Sequence, residues 1–336
     1  MAKNVIEVRN LTKVFDKTIK AVDHINFEVE QGEIFGFLGP NGAGKTTTIS
    51  MLATILKPTE GNATICGHDI IKEPDTVRRC IGIVFQDPSL DDRLTGRENL
   101  DFHARLYRIQ RDLRKKRITE VLELVNLTEQ ADRLVETYSG GMKRRLEIAR
   151  GLMHYPHVLF LDEPTIGLDP QSRRAIWSHI ERLNKEEDIT IMLSTHYMEE
   201  ADHLCARIAI IDHGQIVACN NPMALKDELG GDIILLRPVN GTLMEHLLGP
   251  FQGLEWIRKI SPTDGIFNLV VDQGEKRIPQ VLAIAKNAGV EIASVGLNKP
   301  TLDDVFLHFT GRRIREERGD RASMFKTMMR ARNRRR

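Results

Sequence analysis

Three short stretches hold the side chains best placed to do chemistry. "GPNGAGKT", Gly39 to Thr46, has the spacing G-x-x-x-x-G-K-[ST]. In such a loop the glycines let backbone N–H groups turn toward β- and γ-phosphates, Lys45 adds a point charge, and the Thr46 hydroxyl can ligate Mg²⁺. The phosphate contacts expected here run through Gly39, Pro40, Asn41, Gly42, Ala43, Gly44, Lys45, Thr46 and Thr47. "HVLFLDEP" then delivers Asp162 and Glu163 to the end of an apolar run. Two adjacent carboxylates can divide labour: Asp162 holds the metal through water, and Glu163 polarises the attacking water as general base. "YSGGMKRRLEIAR", the third stretch, opens a helix with Ser139, Gly140 and Gly141 and then three cations. Helix starts carry partial positive charge, so Lys143, Arg144 and Arg145 there predict an approaching anion. One nucleotide does not need two phosphate sites in one chain.

The elements that must position these groups are legible as short apolar runs between turn residues: "EIFGFLG", "IGIVFQ", "HVLFLDEP", "ITIMLSTH" and "RIAIIDHGQIVA". Read as buried strands, they alternate with helical patterns such as "KTTTISMLATIL" and "SRRAIWSHIERLNKEE". That alternation predicts an α/β domain with a largely parallel sheet over residues 1–220. From about residue 87 to 156 strand signals give way to helical ones, which predicts a helical insertion. Residues 221–311 read as a small α+β accessory domain with strands "DIILLRP", "LEWIRKI", "IFNLVVD" and "EIASVGL" and a helix over "KRIPQVLAIAKNAG". In "TLDDV", Thr301 with Asp304 three residues on predicts a helix cap rather than a reactive pair of acids.

Over all 336 residues, 48 Lys and Arg nearly balance 47 Asp and Glu, so bulk charge gives no argument for a nucleic-acid partner. From Gly311 onward eleven Lys or Arg face three Asp or Glu, a basic tail with few apolar anchors whose expected state over 312–336 is a frayed helix or flexible chain. The four cysteines form no CxxC pair, which points to a reducing compartment. "MAKNVIEVRN" has charges where a signal peptide needs apolar residues, and no apolar run approaches the ~18 residues that span a bilayer. Any membrane role is therefore expected to be peripheral.

The order of the phosphate loop, "VFQD", "YSGGM", "LDEP", "GLD" and "STH" over roughly Val5 to Cys219 resembles the ATP-binding subunits of ABC transporters. That resemblance implies a P-loop ATPase domain hydrolysing ATP with Mg²⁺. It makes Gln86 the glutamine that links metal to membrane partner, Asp169 a nucleotide-contacting aspartate, and His196 the switch histidine on the γ-phosphate. It also makes Phe15, thirty residues before Lys45, the aromatic that stacks on adenine. GTP is not supported, because in "NKEED" Glu187 stands where a guanine-reading motif has Asp. The resemblance answers the surplus as well: Ser139, Gly140 and Gly141 cap the γ-phosphate held by a second copy of the chain, in a head-to-tail dimer. The family's common form is "LSGGQ", and Tyr138 and Met142 depart from it.

"LDDRLTGRENL", the stretch from "SGGMKRRL" through "LDEPTIGLDPQSRRAIW", and "TLDDVFLHFTGR" narrow the likeness to subunits of the daunorubicin-resistance type. These energise separate integral membrane permeases of the type-2 exporter family from the cytoplasmic face of the cell membrane, moving drugs, lipids, polysaccharides or ions, with no direct nucleic-acid contact. The alternative is a soluble ABC ATPase acting on nucleic acid or ribosomes. Against it, the chain has one phosphate loop, and 118 residues from Lys45 to Glu163 leave no room for a long coil. A third class, an inactive nucleotide sensor, would lack Lys45, Glu163 or His196, and all are present.

Overall fold

A computed structural model describes residues 3–16, 18–87, 89–239, 249–263 and 266–311, which divide into two compact units, one through Asn221 and one from Pro222. The basic tail at 312–336 lies outside the described residues.

The first unit begins with β1 (Asn4–Phe15), β2 (Ile19–Glu30), β3 (Ile34–Leu38) and α1 (Lys45–Leu52), followed by β4 (Glu60–Ile65), β5 (His68–Asp69), α2 (Pro74–Cys80) and β6 (Ile81–Val84). Between β6 and the next strand come α3 (Gly96–Leu106), α4 (Arg111–Leu124), a 3₁₀ turn at Val135–Thr137 and α5 (Gly140–Gly151). The unit ends with β7 (Val158–Asp162), α6 (Pro170–Glu187), β8 (Thr190–Thr195), α7 (Met198–Leu204), β9 (Arg207–Asp212) and β10 (Gln215–Asn220).

Six strands form the central sheet in the order β10-β9-β3-β8-β7-β6. Every pair in it is parallel except β10 on β9. Every residue of β3, β7 and β8 is buried, as expected of strands covered on both faces. The run "RIAIIDHGQIVA" is not one strand. His213 and Gly214, both at positive φ, fold it into the β9–β10 hairpin, the two-residue turn whose twist suits antiparallel strands.

A second sheet, β2-β1-β4-β5, is antiparallel throughout and was not anticipated from the sequence. Its inner face joins the main core through Phe27, whose ring stacks on Phe35 with centroids 5.4 Å apart and lies 5.2 Å from Phe37. Of the three helices between β6 and β7, α3 and α5 start on a side-chain cap. Thr95 accepts from the Glu98 N–H at 3.1 Å while Glu98 accepts from the Thr95 N–H at 2.8 Å, a reciprocal cap at the start of α3.

The second unit is a four-stranded antiparallel sheet in the order β12 (Ile257–Thr263), β13 (Ile266–Val271), β11 (Asp232–Pro238), β14 (Ile292–Asn298). The helix Gly274–Asn287 supplies Val281 and Ala285 to a separate core with Ile234, Leu236, Phe267 and Leu269. Thr301 caps the helix Leu302–Thr310 reciprocally with Asp304, so Asp304 is occupied in holding a helix start.

Candidate active site

Because β3, β8, β7 and β6 are parallel neighbours, their carboxyl ends share one edge of the sheet. Along that edge stand, in order, the phosphate loop after β3, His196 after β8, Asp162 with Glu163 at the end of β7, and Gln86 after β6. Open α/β sheets bind ligands at this edge.

The loop from Gly39 to Gly44 links β3 to α1, with Thr46 and Thr47 in the first turn of the helix. Gly44 is required there twice over: its φ is +107°, and a Cβ would stand 2.5 Å from the Ala21 carbonyl oxygen of β2. Lys45 is buried, and its ammonium donates to the Gly39 and Pro40 carbonyls at 2.8 and 3.0 Å, curling the side chain back over its own loop. The same ammonium lies 3.4 Å from Glu163 Oε1.

Glu163 is 5 % exposed and sits at φ +47°, a left-handed conformation that costs a non-glycine residue about 1–3 kcal/mol. Ser194 of β8 holds it there: the Glu163 N–H is shared between the Ser194 carbonyl at 3.0 Å and the Ser194 hydroxyl at 3.1 Å. Its Oε2 is 2.9 Å from His196 Nδ1, an ion-pair approach without the alignment of a hydrogen bond. Burial alone would raise the Glu163 pKa; His196 and Lys45 outweigh it, and the carboxyl is held below the usual range. The group is therefore an ionised acceptor near neutral pH, which a general base must be.

Asp162 is almost wholly buried. Thr46 Oγ1 donates to its Oδ1 at 3.2 Å, and the Ser194 hydroxyl makes a short hydrogen bond to the same oxygen. A hydroxyl and a carboxylate from elements 116 residues apart thus converge, and that hard-oxygen pair suits Mg²⁺, which binds one or two carboxylates and keeps waters. Gln86 stands half-buried in the bend that follows β6. Phe15 ends β1 beside the hairpin to β2, is 37 % exposed, and has the Lys13 ammonium 5.3 Å from its ring centroid, so it is a surface aromatic and not a core residue.

The remaining predicted residues form a second, exposed cluster. Ser139 caps α5 by accepting from the Met142 N–H at 3.2 Å. Asp169 caps α6 by accepting from the Ser172 N–H at 2.9 Å, and Ser172, through its hydroxyl first and that N–H second, holds the carboxyl below the usual range. A Cβ on Gly140 would meet Leu168, and one on Gly141 would meet Ser172, each at 3.3 Å, so the two helix starts pack together.

The expectation that the cations of "MKRR" face a phosphate is corrected. Lys143 pairs with Asp92 at 2.7 Å, Arg145 donates to the carbonyls of Val125 and Asn126, and Arg144 is buried, donating to Phe85, Asp162 and Pro164 carbonyls and pairing with Glu147. What α5 leaves for an anion is its exposed start. Ser194 was not among the expected site residues, although a serine directly after the apolar Ile191–Leu193 run at a buried strand end was the signal.

Residues 22–166 match the ABC transporter family, and residues 221–310 match the C-terminal domain of ATP-binding proteins like DrrA1-3. The chain is 41% identical over 309 residues to the daunorubicin/doxorubicin resistance ATP-binding protein DrrA of Streptomyces peucetius, covering 91% of this chain and 92% of that one. It is 40% identical to the linearmycin resistance ATP-binding protein LnrL of Bacillus subtilis, covering 93% and 100%. Among solved structures it resembles the dimeric ATP-binding cassette MJ0796 bound to ADP and Pi, with 28% identity and a TM-score of 0.58 over 64% of this chain and 98% of that one. The cbiO1 subunit from Clostridium perfringens gives 30% identity and a TM-score of 0.61 over 65% and 88%.

Proposed function

The chain belongs to the ABC transporter ATP-binding subunits of the daunorubicin-resistance type, and from that premise we propose how its own residues run an ATP-driven exporter. Backbone N–H groups within Asn41–Thr46 and the Lys45 ammonium hold the β- and γ-phosphates, and Phe15 stacks on adenine. Thr46 and Asp162, with Gln86, hold Mg²⁺, which when bound supplies charge neutralisation on the phosphates. Glu163 takes a proton from the attacking water as its oxygen adds to the γ-phosphorus and the bond from that phosphorus to the β,γ-bridging oxygen breaks, the electron pair leaving with ADP, while His196 steadies the γ-phosphate oxygens. ADP and phosphate leave.

Ser139, Gly140 and Gly141 serve the ATP of a second copy, with Asp169 beside them. The observation that carries this is the exposed corner where the starts of α5 and α6 pack together, with donors at the first turn of α5 and the three cations behind it turned elsewhere. ATP then closes a two-fold dimer, and hydrolysis opens it. Closure and opening drive a separate integral membrane permease. No helix among the described residues is long and apolar enough to cross a membrane, which fits a subunit docked peripherally at the cytoplasmic face. Cargo lies among drugs, lipids, polysaccharides and ions, and the names of the two resistance proteins above favour antibiotics. No match reported above favours action on ribosomes or nucleic acid.

Glu163→Gln removes the base while keeping the size and most contacts of the side chain. In ATP and Mg²⁺ this chain is expected to stop turning over and to run at twice the monomer mass. A monomeric mass under those conditions sinks the in-trans reading.

A further inference from the structure

Arg144, Glu147 and Arg150 form one row along α5, spaced three residues apart, and the first two are buried with 7 % and 1 % exposure. The bonds of this row bracket the segment that carries Gln86. Arg144 Nη1 donates to the Phe85 carbonyl at 2.5 Å, just before Gln86. Glu147 Oε1 accepts from the Ser89 N–H at 2.8 Å, and Arg150 Nη1 donates to the Ser89 carbonyl at 2.7 Å, just after it. The Arg144 fork also reaches both sides of Glu163: Nη2 donates to the Asp162 carbonyl at 2.9 Å and Nε to the Pro164 carbonyl at 2.8 Å. Glu147 Oε2, 3.0 Å from Nη1, balances the guanidinium charge.

One planar cation is thus bonded to the strand end before Gln86, to the carbonyls of the residues on either side of Glu163, and to the helix whose exposed start carries Ser139. A guanidinium has donors in a rigid fork, so three carbonyls held by one such group cannot shift independently without breaking a buried bond. We propose that Arg144, balanced by Glu147, is a positioning residue for hydrolysis: it makes the start of α5, the Gln86 segment and the Glu163 turn one mechanical unit. Resting on the in-trans reading above, this means that engagement of Ser139 with the partner's ATP sets the geometry of the general base in the chain that lends Ser139. Each active site is then tuned by the occupancy of the other.

The test uses the full chain with wild type measured alongside. Arg144→Gln is expected to keep single-chain ATP affinity and KM, to lose about 100-fold in kcat, the scale of an ångström-level misplacement, and to bring the Hill coefficient for ATP toward one. Arg144→Lys keeps the charge without the fork and is expected to stay impaired. A folded Arg144→Gln chain with wild-type kcat and Hill coefficient overturns the proposal. If the arginine variants do not fold, hydrogen exchange on the Glu163→Gln chain decides: Gln86, Asp87 and Ser89 should gain protection in Mg-ATP together with Gly140–Lys143, and protection of one segment alone overturns it. Failure of the wild type to hydrolyse ATP, or of Glu163→Gln to dimerise, would instead strike the functional reading, so the two failures are distinguishable.

Discussion

At the scale of single residues, Tyr138 shows how one departure from the family's common form is accommodated. Its ring is buried and its hydroxyl donates to the Gln130 carbonyl at 2.6 Å. Room for that hydroxyl comes from Gly96, the first residue of α3, where a Cβ would stand 2.5 Å from the Tyr138 oxygen. Gly96→Ala is expected to cost about 1–3 kcal/mol by overpacking. Tyr138→Leu leaves the Gln130 carbonyl without that donor and costs on the order of 1 kcal/mol. Combined, the Ala methyl occupies space the hydroxyl has vacated, so the pair should cost less than the two single changes together by more than about 0.5 kcal/mol. Urea unfolding of the four chains measures this, and strict additivity would refute the contact. The phosphate loop was legible in sequence because its chemistry is local, carried by consecutive backbone groups. Arg144 was misread because its carbonyl partners lie 59, 18 and 20 residues away, at Phe85, Asp162 and Pro164, and nothing local announces them.

At the scale of elements, α5 and α6 show how an arginine on one helix completes the end of another. The carboxyl end of α4 leaves carbonyls unpaired, and Arg145 of α5 and Arg182 of α6 fill them: Arg145 donates to Val125 and Asn126, and Arg182 makes a short bond to Leu124. His179 of α6 is buried near both arginines, and burial, reinforced by those two charges, pushes its pKa down to about 4. His103 of α3 is pushed down to about 4 as well, by burial and then by Arg150 and His154. An imidazole that resists protonation only when folded lets the unfolded chain bind more protons below its ordinary pKa, about 6.5. Stability from these two histidines is therefore complete above about pH 6.5 and is lost progressively as pH falls toward 4. The thermal midpoint should drop between pH 7 and pH 5, and His179→Gln, which carries no titrating group, should flatten that drop. An equal slope in the variant would count against the assignment. The fully buried strands were legible as apolar runs, whereas the antiparallel sheet escaped notice because β1 pairs with β2 through several register shifts that blur its alternation.

At the scale of the whole chain, the residues proposed to act on ATP all lie before Asn221, and the apolar cluster around Phe35 and Phe37 shares no residue with the one around Leu236 and Phe267. The change of pattern after "NNPMALKDELGG", from parallel-sheet runs to a strand–strand–strand–helix–strand order, is legible in the sequence. A ligand that binds only the folded state stabilises it by about 2.7 kcal/mol at a hundred times its dissociation constant. If the first unit holds its own core and its own phosphate loop, a chain ending at Asn221 keeps that term in full. The expected result is a cooperative melt whose midpoint rises in Mg-ATP by as much as that of the full chain. Lys45→Ala in the same short chain should abolish the rise, since the loop then loses the charge proposed to face the phosphates. A short chain that melts cooperatively but gains nothing from ATP would mean that the second unit shapes the nucleotide site, and the division of labour drawn from the separate cores would have to be abandoned.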